Sequence, residues 1–431
     1  MNIRFLHTSD FQLGMTRWFL SGEDEGAQER FASDRLAAVR RLGEIAKERD
    51  CAFIVVAGDV FEHNSLAPKT TGRALEVLRQ LPVPVYLMSG NHDPLTADSV
   101  FYRAQEIEGV HVLADSTPVQ VETAPHVELV GAPLLSKVPS EDLVAASLRH
   151  LEPAENTIRI AVGHGAVEGF GDTTNTALID LNAVEERIAE GVIDYLALGD
   201  THSTQALGTS GKVWYSGSPE TTDFHKLGEG GRGEFASGNA LVVEIEKRVG
   251  GVHGSSTVSV EVVPVGKWTF ESIVAEVNHF NDVEDFLQQL RDYKFKETTV
   301  VKYALIGSLD LRSMRHLQEG IEELRPVFAA LYERQRLMDL MIEPGEEELE
   351  EFGLSGFAAT TLEQLRELAR TGNGNEMIGR VDAKGAETAK DAINLLFRLS
   401  SGLDYGISSE TRGVGGVVGG GASVSAQKAG R

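Results

Sequence analysis

The stretch Val83-Pro84-Val85-Tyr86-Leu87-Met88-Ser89-Gly90-Asn91-His92-Asp93 is an apolar run that ends in an amide, an imidazole and a carboxylate. Its β-branched and aromatic residues predict a strand from Val83 to Met88, and Gly90 predicts the turn that closes it. Outward from there the arrangement recurs. Asp10 follows the strand candidate Arg4 to Thr8, Asp59 follows Ala52 to Ala57, His164 follows Ile158 to Val162, and Asp200 follows Ile193 to Leu198. Further strand candidates are His126 to Val130, Val213 to Ser216, Ala240 to Ile245 and Thr257 to Val263, with helix candidates at 29–49, 68–80, 140–150 and 181–190. Short apolar runs alternating with amphipathic stretches describe an α/β domain from residue 2 to about 265. In open α/β sheets such strand ends converge on one edge where ligands bind, so Asp10, Asp59, Asn91, His164 and Asp200 are expected at one site.

The chain has 431 residues, more than one hydrophobic core normally organises, so a main domain with at least one smaller addition is expected. Its net charge of −25 excludes a protein that coats nucleic acid through its whole surface, because phosphate binding draws on clustered Lys and Arg. No long apolar run appears, and Met1-Asn2-Ile3-Arg4-Phe5-Leu6 leads into polar residues instead of a signal-peptide core. A soluble, cytoplasmic protein with no membrane association is therefore expected. The single cysteine, Cys51, can form no internal disulfide and reads as a small buried hydrophobe.

Five segments carry the chemistry: His7-Thr8-Ser9-Asp10-Phe11-Gln12, Gly58-Asp59-Val60-Phe61-Glu62, Gly90-Asn91-His92-Asp93, Gly163-His164-Gly165 and Gly199-Asp200-Thr201-His202. Each is weak alone. In this order, across residues 3–220, they resemble the five signature motifs of calcineurin-like metallophosphoesterases, D-x-H, G-D-x-x, G-N-H-[DE], G-H and G-H-x-H. His7-Thr8-Ser9-Asp10, Gly217-Ser218-Pro219 and the size of the C-terminal addition resemble the nuclease subunit of the bacterial SbcCD complex more than small phosphatases. The resemblance implies an α/β fold: a two-sheet sandwich flanked by helices, four layers αββα, with a smaller α+β capping domain and a C-terminal helical region.

Phosphodiester hydrolysis needs an activated water, neutralised non-bridging oxygens and a stabilised leaving oxygen, which two cations roughly 3.5–4 Å apart supply together. By resemblance Asp59 bridges them, Asp10, Gln12 and His202 complete the first, and Asn91, His164 and Asp200 complete the second. His92 would contact the phosphate or protonate the leaving group, a task that suits an imidazole because its pKa lies near neutral pH. Asp93 is expected to hydrogen-bond His92 and fix its tautomer. Two positions depart from the pattern: Gln12 stands where D-x-H has histidine, and Asp200 where G-H-x-H has its first. Both exchange nitrogen for oxygen, which makes the site harder and more anionic and favours Mn²⁺ or Mg²⁺. Gln12 is either a weak ligand or reaches only water on the metal. Glu62 reads as a residue behind the ligands or as an ordinary turn residue. Trp214 to Glu220 resembles the segment Y-x-G-S-x-x-R, with Ser218 in place and Glu220 where an arginine is usual, which removes a phosphate contact.

Residues 1–265 are expected to form the catalytic domain, 266–355 a cap that guides DNA, 356–402 a helical partner-binding region and 403–431 a disordered tail. The cap should hold a helix near 282–292, a strand near 298–306 and a helix near 310–324. Lys226 to Gly238 reads as a mobile surface loop, and the acid-rich run Glu343 to Glu351 as a solvated helix face. Leu362, Leu365 and Leu368, then Ala392, Leu395, Leu396 and Leu399, recur at helical spacing near 360–371 and 384–401, as a core or as a face for a partner helix. The resemblance implies that such helices grip an SMC-like ATPase, which would add the basic surface this acidic chain lacks; a homodimer is compatible with the same layout. The expected function is a metal-dependent DNA repair exo- or endonuclease. Two alternatives stand beside it: a small-nucleotide phosphodiesterase or phosphatase, favoured by the acidic surface and Glu220, and a non-catalytic subunit whose altered metal site serves structure or regulation.

Overall fold

The computed structural model describes residues 1–21, 26–168, 178–225, 233–248, 256–342, 357–372, 384–386, 388, 389, 392 and 393. The acid-rich run Glu343 to Glu351, residues 226–232 of the glycine-dense segment, Leu395, Leu396, Leu399 and the 403–431 tail lie outside the described residues.

In chain order one sheet takes β1 (Asn2–Thr8), β2 (Ile54–Val56), β3 (Val85–Leu87) and β4 (Val110–Val112). A second takes β5 (Val119–Val121), β6 (Ala124–Gly131), β7 (Ile158–His164), β8 (Tyr195–Gly199), β9 (Gln205–Leu207) and β10 (Val213–Tyr215). The chain then returns to the first with β11 (Asn239–Lys247) and β12 (Ser256–Pro264). The sheet orders are β12-β11-β1-β2-β3-β4 and β5-β6-β7-β8-β10-β9. Strands β1 to β4 run parallel, as do β6 to β8 and β10; β11 and β12 add antiparallel on one side of the first sheet, whose other edge is the parallel β4, and β5 and β9 close the second sheet antiparallel.

Parallel strands covered on both faces must be apolar on both, which is why β2 and its flanks read as one continuous run. Phe53, Val55 and Ala57 point into the core between the sheets, with Phe5, Tyr86, Leu129, Ile160 and Tyr195. Phe5 stacks on Phe53 with centroids 5.1 Å apart and meets Tyr195 edge-on at 5.7 Å. The alternate residues Ile54 and Val56 face Val39, Leu42 and Ile45 of helix α1 (Ala27–Glu48) and Ala74, Val77 and Leu78 of α2 (Pro68–Arg79). The short helix α3 (Phe101–Ala104) joins that layer through Phe101. On the opposite side Ala161, Leu196 and Leu198 pack on α4 (Leu143–Leu148) and α5 (Leu181–Ala189). α5 starts where Asp180 accepts from the Asn182 and Ala183 amides at 2.9 and 3.1 Å, satisfying two donors that a helix leaves free. The result is a two-sheet α/β sandwich flanked by helices. β4, β5, β9 and α3 escape sequence reading because three or four residues show no periodicity.

Beyond this sandwich, β13 (Thr269–Glu276), α6 (Phe280–Arg291), β14 (Thr299–Leu309), α7 (Leu311–Leu324) and β15 (Ala330–Glu333) build a smaller sheet with β13-β14-β15 parallel. Its Trp268, Phe270, Val300 and Ala329 share a core with Met15, Leu20, Ala27, Phe31 and Phe224. The chain divides into two compact units, Met1–Gly307 with Arg312–Leu340, and Ser308–Leu311 with Met341–Arg431. The second unit holds a C-terminal helical region: α8 (Phe357–Thr371) buries Leu362 and Leu368, with Leu365 half-buried. No helix among the described residues is long and apolar enough to cross a membrane.

Candidate metal centre

His164 ends its strand and the other site residues stand past strand ends, several of them where the backbone turns left-handed. Among the described residues five non-glycines have positive φ, and four are Asp10 (53°), Gln12 (47°), Asp59 (53°) and Asp200 (93°). Such conformations cost roughly 1–3 kcal/mol each and persist only where the surroundings over-determine them. Here the first two loops are laced together: the amides of Asp10, Gln12 and Leu13 donate to the carbonyls of Gly58, Asp59 and Val60, each at 3.0 Å. The buried guanidinium of Arg35 on α1 then donates to the Phe11 carbonyl at 2.7 and 3.1 Å and to the Thr221 carbonyl at 3.2 Å. Two glycines make room. A Cβ on Gly58 would overlap the His164 ring, and one on Gly90 would overlap Asp59 Oδ1.

Asp10, Asp59 and His164, all buried, bring one ligand atom each within 4.8 Å of one another. His164 Nε2 lies 3.4 Å from Asp59 Oδ1, 3.8 Å from Asp200 Oδ1 and 2.9 Å from Asn91 Oδ1. His202 Nε2 lies 3.7 Å from Asp10 Oδ1. The Gln12 amide nitrogen donates to Asp59 Oδ2 at 2.8 Å, while its Oε1 is buried with no partner. Asp10, Asp59 and His164 thus form one cluster, with Gln12 against Asp59, Asn91 and Asp200 beside His164, and His202 beside Asp10.

The donor set fits a divalent cation. His164 Nδ1 donates to the Ala57 carbonyl at 2.8 Å, so Nε2 and the Asn91 Oδ1 acceptor 2.9 Å away need a proton or a cation between them. The orphaned Gln12 oxygen is a second acceptor without a donor. Charge points the same way: against the effect of burial, the Asp59, Asp10 and Asp200 carboxylates hold His164 well above its usual pKa. His202 is likewise held up at about 9, where Glu234 and Asp10 outweigh burial. A cluster that recruits protons this strongly has negative charge to be neutralised by a metal.

His92 sits beside the cluster, with Nε2 4.0 Å from Asp59 Oδ2 and the side chain 40% exposed. Its partner is not Asp93. His92 Nδ1 donates to the Glu62 carbonyl at 3.1 Å, and the Glu62 carboxylate lies 3.8 Å from the same nitrogen. Asp93 is wholly buried and accepts instead from the Gly90 amide at 2.7 Å and the Phe61 amide at 2.9 Å. It ties the two ligand loops together; burial and Asp59 push its pKa up to about 7. The expected tautomer-fixing role thus passes to the Glu62 backbone. Ser218 and Glu220 do not face the cluster as substrate groups. The Ser218 hydroxyl donates to the Glu220 carbonyl at 2.7 Å, and the buried Glu220 carboxylate accepts from the amides of Thr221, Lys267 and Trp268 at 3.0–3.1 Å.

Sequence reasoning missed Glu234. It lies in the glycine-dense segment read as a mobile surface loop, yet it is 5% exposed and its Oε1 sits 3.1 Å from His202 Nδ1. The carboxylate also bonds the Thr222 hydroxyl, so His202 is held with Nε2 toward Asp10. A glutamate beside glycines carries no signal that it will turn inward. Ser9 was missed too; it donates to Asp10 Oδ2 at 2.5 Å.

Residues 3–204 match the calcineurin-like phosphoesterase family. The chain is 27% identical over 244 residues to the DNA double-strand break repair protein Mre11 of Archaeoglobus fulgidus, covering 52% of this chain and 52% of that one. It is 23% identical over 238 residues to the metallophosphoesterase YhaO of Bacillus subtilis, covering 53% and 56%. With the nuclease subunit of SbcCD from Escherichia coli it is 24% identical over 322 residues, covering 65% of this chain and 75% of that one. The chain spans about half the length of the first two relatives. The laced loops and the buried Asp10, Asp59 and His164 are thus set on a calcineurin-like metallophosphoesterase fold, with weak and partial homology to nucleases of the Mre11 and SbcCD type.

Proposed function

We propose that this chain is a two-metal phosphodiesterase that cuts DNA, using Mn²⁺ or Mg²⁺ held by Asp10, Gln12, Asp59, Asn91, His164, Asp200 and His202. The observation that carries the reading is the buried Asp10, Asp59 and His164 cluster with His92 at its open side. Bound cations would neutralise the phosphate and acidify the attacking water. The chain's own groups do the rest. Asp59 accepts from the His92 amide at 3.0 Å and the Gln12 amide at 2.8 Å, so its carboxylate is pinned before any ion binds. His92 keeps a proton on Nδ1 against Glu62, which leaves Nε2 to carry a second proton to the leaving oxygen.

DNA as substrate is supported by the likeness to Mre11 and to the SbcCD nuclease subunit, and an SMC-like ATPase partner by the latter alone. In this reading residues 266–355 cap the site and 356–402 grip the partner. The inward turn of Glu220 removes one reason for doubting a DNA substrate, since its side chain presents no charge to a phosphate. The test compares Mn²⁺-dependent cleavage of linear duplex and single-stranded DNA with turnover of cyclic nucleotides and an aryl phosphodiester. Asp59→Ala and His92→Ala should abolish cleavage. Turnover confined to cyclic nucleotides removes DNA from the proposal, and less than one bound ion per chain at micromolar Mn²⁺ removes the enzyme.

A further inference from the structure

Next to the metal centre lies a cluster of aromatic rings that the proposed chemistry does not use. Trp18 is 67% exposed, although it meets Phe19 and Tyr332 in T-shaped contacts at 5.7 and 5.3 Å. Phe19 stacks on Tyr332 at 5.8 Å and leans on Phe224 at 5.4 Å. The Lys302 ammonium sits 3.6 Å from the Phe224 centroid, with Arg334 near enough to repel it and Asp223 near enough to attract it. Among the described residues neither Lys302 nor Arg334 makes an ion pair with a carboxylate, in a chain of net charge −25. The cluster adjoins the metal-site histidine: Arg17, next to Trp18, donates to the Thr222 carbonyl, and the Thr222 hydroxyl contacts His202 Nδ1 at 2.5 Å.

We infer that Trp18, backed by Phe19 and Tyr332 and flanked by Lys302 and Arg334, is a stacking platform for unpaired nucleotides of a DNA strand entering the metal centre. The inference rests on the DNA reading above. An indole left in water forgoes burial, whereas an unpaired base offers it a π-face and the adjoining phosphates meet the two cations. Bases inside a duplex are already stacked on each other and offer no free face. The platform therefore selects single-stranded or frayed ends.

The test uses the full chain in EDTA, so that binding is read without turnover. Fluorescence anisotropy measures a labelled oligothymidylate against a duplex of the same length. The expected result is tighter binding of the oligothymidylate, an affinity loss of about tenfold or more in Trp18→Ala, a smaller loss in Trp18→Phe, and a salt dependence shallower by about 0.7 in Arg334→Gln. Thermal melting of each variant confirms the fold; should Trp18→Ala melt early, Trp18→Phe and Arg334→Gln decide. Unchanged oligothymidylate affinity in the variants overturns the inference, as does equal, Trp18-dependent binding of the duplex. A change of oligomeric state in Trp18→Ala with no change in DNA affinity also overturns it, because the rings would then contact a second copy. Hydrolysis of an aryl phosphodiester by the unmodified chain with Mn²⁺ is scored separately. Hydrolysis without Trp18-dependent binding sinks the platform alone, and Trp18-dependent binding without hydrolysis sinks the phosphodiesterase reading alone.

Discussion

His164 Nε2 lies 2.9 Å from Asn91 Oδ1 while its other ring nitrogen is committed to the Ala57 carbonyl, so the contact is favourable only with positive charge between the two atoms. Without metal that charge is a proton, because the nearby carboxylates hold His164 well above its usual pKa. Metal loading near pH 7 should therefore release about one proton or more, and affinity should weaken as pH falls. Calorimetry in buffers of different ionisation enthalpy reads the release. Heats that do not depend on the buffer would mean that the imidazole is already neutral.

Glu234 should matter for metal binding without touching the metal. Its carboxylate fixes the orientation of His202, and loss of such a partner typically costs 10–100-fold in affinity. Glu234→Gln is expected to weaken Mn²⁺ binding within that range, measured by equilibrium dialysis, with Glu234→Ala worse. Wild-type affinity in both variants would show that His202 needs no such support.

Gly90→Ala places a methyl group where Asp59 Oδ1 now lies. The carboxylate must move, and overpacking of this kind costs roughly 1–3 kcal/mol of stability. The larger effect should be on metal: the rise in melting temperature that Mn²⁺ gives the unmodified chain should vanish. A variant that melts early yet keeps its Mn²⁺ shift would show that Asp59 can relax.

Glu220→Ala strands the amides of Thr221, Lys267 and Trp268, of which those of Thr221 and Trp268 are buried. Unsatisfied buried donors predict a loss of roughly 2–4 kcal/mol in urea denaturation. Glu220→Arg, which restores the residue that the resemblance leads one to expect, should destabilise as much and gain no phosphate contact. Stronger DNA binding by a stable Glu220→Arg chain would contradict the inward placement.

His7 is buried, with Nε2 donating to the Leu198 carbonyl at 3.2 Å and the Tyr195 hydroxyl 3.1 Å from Nδ1, and burial pushes its pKa down to about 3. The open chain takes up a proton on this residue near pH 6.5, whereas the fold does not until about 3. Stability from this group is therefore fully present above 6.5 and falls by roughly a few kcal/mol as pH drops through that window. His7→Asn should be less stable at pH 7.5 and lose less between pH 6.5 and 5. An unchanged slope would place the acid sensitivity elsewhere.

Local pattern carried much of this molecule. Apolar runs such as Ile54-Val55-Val56 announce buried parallel strands because both faces need cover, and a polar residue after such a run marks the edge where loops gather. The groups of the Asp10, Asp59 and His164 cluster were legible for that reason, each at the end of a different strand. What surrounds them was not. Arg35 sits in an amphipathic helix where an arginine reads as surface, and Glu234 in a glycine-rich run where a glutamate reads as solvent-facing.

By itself the sequence determined the α/β alternation, the strand tips and the residue types gathered there, because these depend on periodicity and on neighbours a few positions away. Only the tertiary structure decided which groups hold them. Asp93 went to two backbone amides instead of His92, Glu220 turned inward, and Glu234 reached His202 from 32 residues away. A buried polar group takes whatever donor or acceptor the packed chain brings within about 3 Å, and chain separation carries no record of that distance.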